Sequence, residues 1–219
     1  MWGLALKDFL TIKRYIVAGF FFGIMTLWLL RGPYASPSGL SAIWLIVWFI
    51  LARGLFALDE HGRSESIVNS LPLLKREIVA ARHLSSMILL AYAFFVMLAW
   101  LGILKAIGAY LSFTIPWTFV IATGLITGSI ATVIVFPILF KVDFVKARWI
   151  TFFVMFLFII PLLGSWPRPH APRLQTSLLM ERFLGIPDSL VLAAAILVFA
   201  VLMSLSMLIS TKLYKTREF

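Results

Sequence analysis

A chain of 219 residues that is 62% hydrophobic and 13% charged, with a mean hydropathy of +1.04, cannot be wrapped in a water-facing surface and reads as an all-α integral membrane protein. Its net charge of +10 is spread along the sequence rather than gathered on one face, which argues against nucleic acid as a partner and for membrane topology and anionic lipid headgroups. Cysteine is absent, so disulfides and thiolate metal sites are excluded.

In chain order, residues 1–14 read as an amphipathic helix in the interface, with Trp2, Leu6, Phe9 and Leu10 toward lipid and Lys7, Thr11 and Arg14 toward water. Apolar runs long enough to cross about 30 Å of hydrocarbon follow. Six spans are predicted: Tyr15 to Leu30, Gly39 to Leu58, Leu84 to Leu104, Thr114 to Phe140, Trp149 to Gly164, and Ser189 to Ser210. The first is short, but Arg31, Gly32 and Pro33 follow it without a small-x-small cleavage pattern, so it reads as a retained span. Pro137 is expected to kink or end the fourth span. In the same run Gly124 and Gly128 form a GxxxG pattern that lets a second helix approach closely, from the same subunit or from another.

The whole chain, 1–219, is thus one transmembrane domain, with no room for a soluble one. Residues 165–188 form an extracellular segment in which Leu174 to Leu184, bounded by Pro172 and Pro187, can make a short helix. Both a re-entrant gate and a connector resting on headgroups fit it.

Orientation follows from the basic residues. With the N-terminus inside, fourteen Lys and Arg are cytoplasmic, while Arg31, Lys105, Arg168, Arg173 and Arg182 make five outside. Both termini are therefore placed in the cytoplasm.

Apart from Arg53 near a span end, the six runs contain no Asp, Glu, Lys, Arg or His, which disfavours ion-coupled transport. No HExxH, paired-glutamate or cysteine motif supports intramembrane hydrolysis, and no GxxxxGK[ST] is present to cradle ATP. The chain reads as a non-enzyme, and any ATP that drives it must be bound by another polypeptide. Asp59, Glu60, His61 and Glu65 could in principle hold a divalent cation, but Arg63 among them would repel it, and a solvated loop is the better reading.

The charged island from Asp59 to His83 is the most informative stretch. Ser64 to Asn69 can begin a short helix, Pro72 interrupts it, and Leu73 to His83 resumes with helix formers that run into the third span. Lys75, Arg76, Val79 and Arg82 are expected on a wet face, with Leu74, Ile78 and Ala81 packed. Such a bent, protruding element suits docking into a partner's groove.

Three features in register carry a resemblance: the opening MWGLALKDFLTIKRY, the acidic pair Asp59 and Glu60 closing the second span, and the phrase NSLPLLKREIVAARH. Together they resemble the permease subunits of ABC type-2 exporters, in the small six-span group, and within it the permeases that export phenol-soluble modulins, which are amphipathic bacterial peptide toxins. The resemblance implies a bacterial plasma-membrane assembly of two permeases, this chain and a second copy of itself or a paralogue, with cytoplasmic ABC ATPases that bind ATP and Mg. It also implies a cytoplasmic coupling helix at Ser66, Ile67, Val68, Asn69, Ser70, Leu71 and Pro72 seated on the ATPase, with contacts extending to Lys75, Arg76 and Glu77. The chain itself would hold no cofactor. Twenty Phe, eight Trp and eight Met give adaptable apolar surface that suits an amphipathic peptide or drug cargo, and equally suits lipid. A self-protection exporter for antibiotics or bacteriocins and a non-transporting membrane scaffold are the alternative readings.

Overall fold

The computed structural model describes residues 17, 20–21, 37–61, 74–106, 117–142, 144–164 and 187–216. Nearly all of these residues are helical, and they include five long helices: α1 Pro37–His61, α2 Lys75–Ala106, α3 Trp117–Lys141, α4 Phe144–Gly164 and α5 Asp188–Lys215. Four of them, α1, α2, α3 and α5, are long and apolar enough to cross a membrane. Of the first expected span only residues 17, 20 and 21 are described, all helical. The interfacial helix at 1–14 and nearly all of 165–188 lie outside the described residues.

Helix α1 is the centre. Pro37 occupies its first helical position, where a missing N–H is no loss. Beyond it Leu40, Ile43, Trp44, Val47, Leu51 and Leu55 are buried along one face, and Ala42, Leu45, Phe49 and Ala52 on the others, as a helix that is apolar all round requires. It packs against α2, α3 and α4. Two indoles fix it to α2: Trp44 Nε1 donates to Leu90 O at 2.8 Å, and Trp48 Nε1 reaches Ser86 O and Ser86 Oγ, both at 3.2 Å. At its other flank Ser41 Oγ donates to Val120 O of α3 at 3.2 Å. Indole and hydroxyl groups placed in an apolar bundle need such partners, and the pairings set the register of α1.

The glycines of the GxxxG pattern serve this packing within one subunit. A Cβ on Gly124 would run into the ring of Trp44, and one on Gly128 would sit 3.2 Å from Leu45 Cδ2. Pro137 does not end α3, which continues to Lys141.

The most extensive pairing is between α3 and α5. The buried positions of α5 are Ala195, Met203, Ser206, Ser210 and Tyr214, and from Met203 onward they recur every three or four residues. Small and hydroxylated side chains along such a seam let two backbones approach in a membrane. Ser206 Oγ crosses it, 3.1 Å from Thr132 O.

The contacts also fix relative directions. Phe56 near the end of α1 meets Phe136 and Phe140 near the end of α3, while Arg82 near the start of α2 lies 5.8 Å over the Phe56 ring. The ends of α1, α3 and α5 and the starts of α2 and α4 therefore share one end of the bundle. That end carries Lys75, Arg76, Lys141, Lys146, Lys212 and Lys215, whereas Lys105 lies in the last turn of α2, at the opposite end.

Helix α2 begins at Lys75, within two residues of the start expected for the helix that runs from Leu73 into the third span. Two expectations are corrected here. The membrane-length stretch begins at Lys75 rather than Leu84, so Arg82 and His83, expected at its edge, lie inside it, 5% and 4% exposed. The expected wet face stops at Lys75 and Arg76: Ile78 and Ala81 are buried as expected, but Val79 and Arg82 are buried too, and Leu74, expected to pack, is 71% exposed. The cause is lateral, because α1, α3 and α5 close around this turn with aromatic rings that local hydropathy cannot register.

Candidate functional site

The basic end of the bundle is where the chain re-enters the membrane after the charged island, and its geometry begins with the start of α2. Leu74 precedes the first helical residue, and its N–H donates to Glu77 Oε2 at 3.1 Å. This is the back half of a capping box, in which the carboxylate at the third helical position satisfies a backbone donor that has no helical partner. Its negative charge also complements the positive end of the helix. Glu77 thus defines where the island ends and the rigid helix begins.

Lys75 turns toward α5. Its Nζ stands 3.5 Å from Tyr214 O and 3.4 Å from Lys215 O, and 5.8 Å over the Tyr214 ring. The distances are long for hydrogen bonds, and the attraction is chiefly that of a cation for the negative end of a helix and for an aromatic face. Arg76, by contrast, is exposed beside exposed Leu74.

Two turns deeper is a buried polar node. His83 Nδ1 lies 2.9 Å from its own helix at Val79 O, and Nε2 lies 3.0 Å from Ser206 Oγ of α5. Because a carbonyl can only accept, Nδ1 carries the proton in the neutral ring, Nε2 accepts, and the single hydroxyl proton of Ser206 is shared between Nε2 and Thr132 O. The ring is stacked 6.1 Å from Phe140 with the planes 2° apart, and meets Phe136 edge-on at 5.0 Å. Phe140 in turn meets Tyr214 at 5.5 Å. One connected set of side chains therefore joins α2, α3 and α5 just beneath the basic end.

Of the sequence-predicted coupling residues, Lys75, Arg76 and Glu77 are brought together on the first turn of α2. Ser66, Ile67, Val68, Asn69, Ser70, Leu71 and Pro72 lie outside the described residues, as do the side chains of Asp59, Glu60, His61 and Glu65. Among the described residues no group of three His, Asp or Glu could hold a metal. Sequence reasoning missed the His83 node and the attachment of Lys75 to α5. The available signal was Met203, Ser206, Ser210 and Tyr214 recurring at helical spacing in an otherwise apolar run.

The family model described as ABC-2 family transporter protein matches residues 3–215. The chain belongs to the ABC-2 transporter family. None of the curated proteins matches it. As a member of the ABC-2 family it is a multi-pass membrane component of a transporter, and membership implies pairing with an ABC ATPase. In such a protein the first turn of α2 is of interest because it joins the polar island to a helix of 32 residues that runs unbroken to Ala106.

Proposed function

We propose that the chain is the permease subunit of an ATP-driven exporter that moves amphipathic or hydrophobic peptides, of the phenol-soluble modulin kind, or drugs out of a bacterial cell. The observation that carries this reading is the capped start of α2: Leu74 and Arg76 stand exposed at the basic end, directly after the NSLPL phrase, on a helix rigid enough to carry a push into the membrane. The basic end is then the cytoplasmic face, as the positive-inside rule requires, with both termini on that side.

In this mechanism Ser66 to Pro72 seat on a separate cytoplasmic ATPase, which binds ATP and Mg. Closure of the ATPase dimer displaces the seated segment, and Pro72 and the Glu77 cap pass the displacement to α2. Two copies of this chain enclose the path, and their aromatic and methionine side chains accept apolar cargo without fixed hydrogen-bond geometry.

Co-purification with an ABC ATPase, followed by transport assays on variants, tests the proposal. Leu71→Asp with Pro72→Gly, or Arg76→Glu, should leave membrane insertion intact and separate ATP hydrolysis from transport. Full transport in those variants would remove the coupling assignment.

A further inference from the structure

We propose that Lys75 is a positioning residue that fastens the C-terminal helix to the coupling element, so that the start of α2 and the end of α5 move as one body. The inference rests on the coupling reading above and extends it: the push is delivered to α5, and through Phe140 to α3, as well as to α2.

The end of α5 is built to receive a cation. The last four carbonyls of a helix lack helical donors and carry its negative pole. Thr216 supplies two donors, its N–H at 3.2 Å and its hydroxyl at 2.8 Å, but both go to Leu213 O. Lys75 Nζ stands at the next two carbonyls, Tyr214 O and Lys215 O, and over the Tyr214 ring. Tyr214 itself is buried, held edge-on by Phe140.

A single long contact would act as a pivot, but there is a second attachment. His83 Nε2 meets Ser206 Oγ. Lys75 and His83 are eight residues apart on α2, and Ser206 and Tyr214 are eight apart on α5, so both attachments are spaced by about 12 Å along antiparallel helices. Two matched points remove rotation about either one. Helix α5 packs only on α2 and α3 among the described helices, and displays Leu190, Leu197, Val201, Leu205 and Leu208 on its outside. Among the described helices, motion therefore reaches α5 through those two neighbours.

The test uses the absence of native cysteine. Leu74→Cys and Thr216→Cys, both at exposed positions, take spin labels in the full chain assembled with its ATPase in lipid nanodiscs. The 74–216 distance should be narrow and unchanged when a non-hydrolysable ATP analogue and Mg are added. Lys75→Met should broaden it and lower transport per ATP roughly two- to fivefold, the size of a cation's interaction with a helix end, while ATPase co-purification stays normal. Lys75→Arg should restore both. A 74–216 distance that shifts with nucleotide overturns the inference, and so does unchanged coupling in Lys75→Met. Loss of the ATPase from Lys75→Met also overturns it, since Lys75 would then be a partner contact. If the unsubstituted chain binds no ATPase, the coupling reading itself fails. The fastening is then judged on the chain alone: broadening by Lys75→Met upholds it and an unchanged distribution rejects it.

Discussion

Gly124, Gly128 and Gly102 form a graded test of how tightly α1 is held. A methyl group on Gly124 overlaps the Trp44 ring, which cannot slide freely because Nε1 is bonded to Leu90 O at 2.8 Å and the ring rests 4.9 Å from Phe94. Moving the ring costs roughly 1–3 kcal/mol for overpacking. Loss of the indole hydrogen bond adds about 1 kcal/mol, and the helical preference of Ala over Gly returns roughly 0.5–1 kcal/mol. The net expectation for Gly124→Ala is a destabilisation of roughly 1–3 kcal/mol on these magnitudes. Gly128→Ala meets the flexible tips of Leu45 at 3.2 Å and Leu90 at 3.6 Å and should be near neutral, whereas Gly102→Ala has nothing within 4 Å and should stabilise by roughly 0.5–1 kcal/mol. Unfolding in mixed detergent and SDS micelles gives the three values directly. Trp44→Phe combined with Gly124→Ala should recover part of the loss, which a double-mutant cycle isolates. Equal behaviour of Gly124→Ala and Gly102→Ala would refute the packing argument.

His83→Ala should destabilise the fold by roughly 2–4 kcal/mol, from the cavity among Phe136, Phe140 and Ser206 and the lost hydrogen bonds, and His83→Gln by less; the same micelle assay checks it. Single cysteines at Leu74 and Thr216 should react with a membrane-impermeant maleimide only from the cytoplasmic side, and one at Trp117, at the start of α3, only from outside. Labelling of Leu74→Cys and Trp117→Cys from one side would break the assigned alternation.

The spans corresponding to α1, α3 and α5 are legible in the sequence because apolar length alone defines a membrane crossing. The close approach at Gly124 and Gly128 is legible too, although its partner, Trp44, is not. The helix running from Leu73 into the third span is legible as well, since α2 begins at Lys75, but its membrane-length stretch starts nine residues before the expected Leu84, and α4 begins five residues before the span expected at Trp149. In α2 the reason is physical: Arg82 and His83 look like interfacial charges, yet Phe56, Phe136, Phe140 and Ser206 converge on them from three other helices. Local hydropathy scores a residue against water, and these residues face protein. The same reasoning hides the role of Lys75, whose partner lies 139 residues away. Glu77 was legible as part of the charged motif, but its capping bond to Leu74 requires knowing where the helix starts.

The most direct test of the central claim is ATP-dependent uptake of a fluorescent amphipathic helical peptide into inside-out vesicles that hold this chain and its ABC ATPase. The account expects peptide to accumulate inside the vesicles with ATP and Mg, and to stop when the ATPase cannot hydrolyse ATP. Accumulation that is the same without nucleotide, or none in a complex whose ATPase is active and bound, would contradict it.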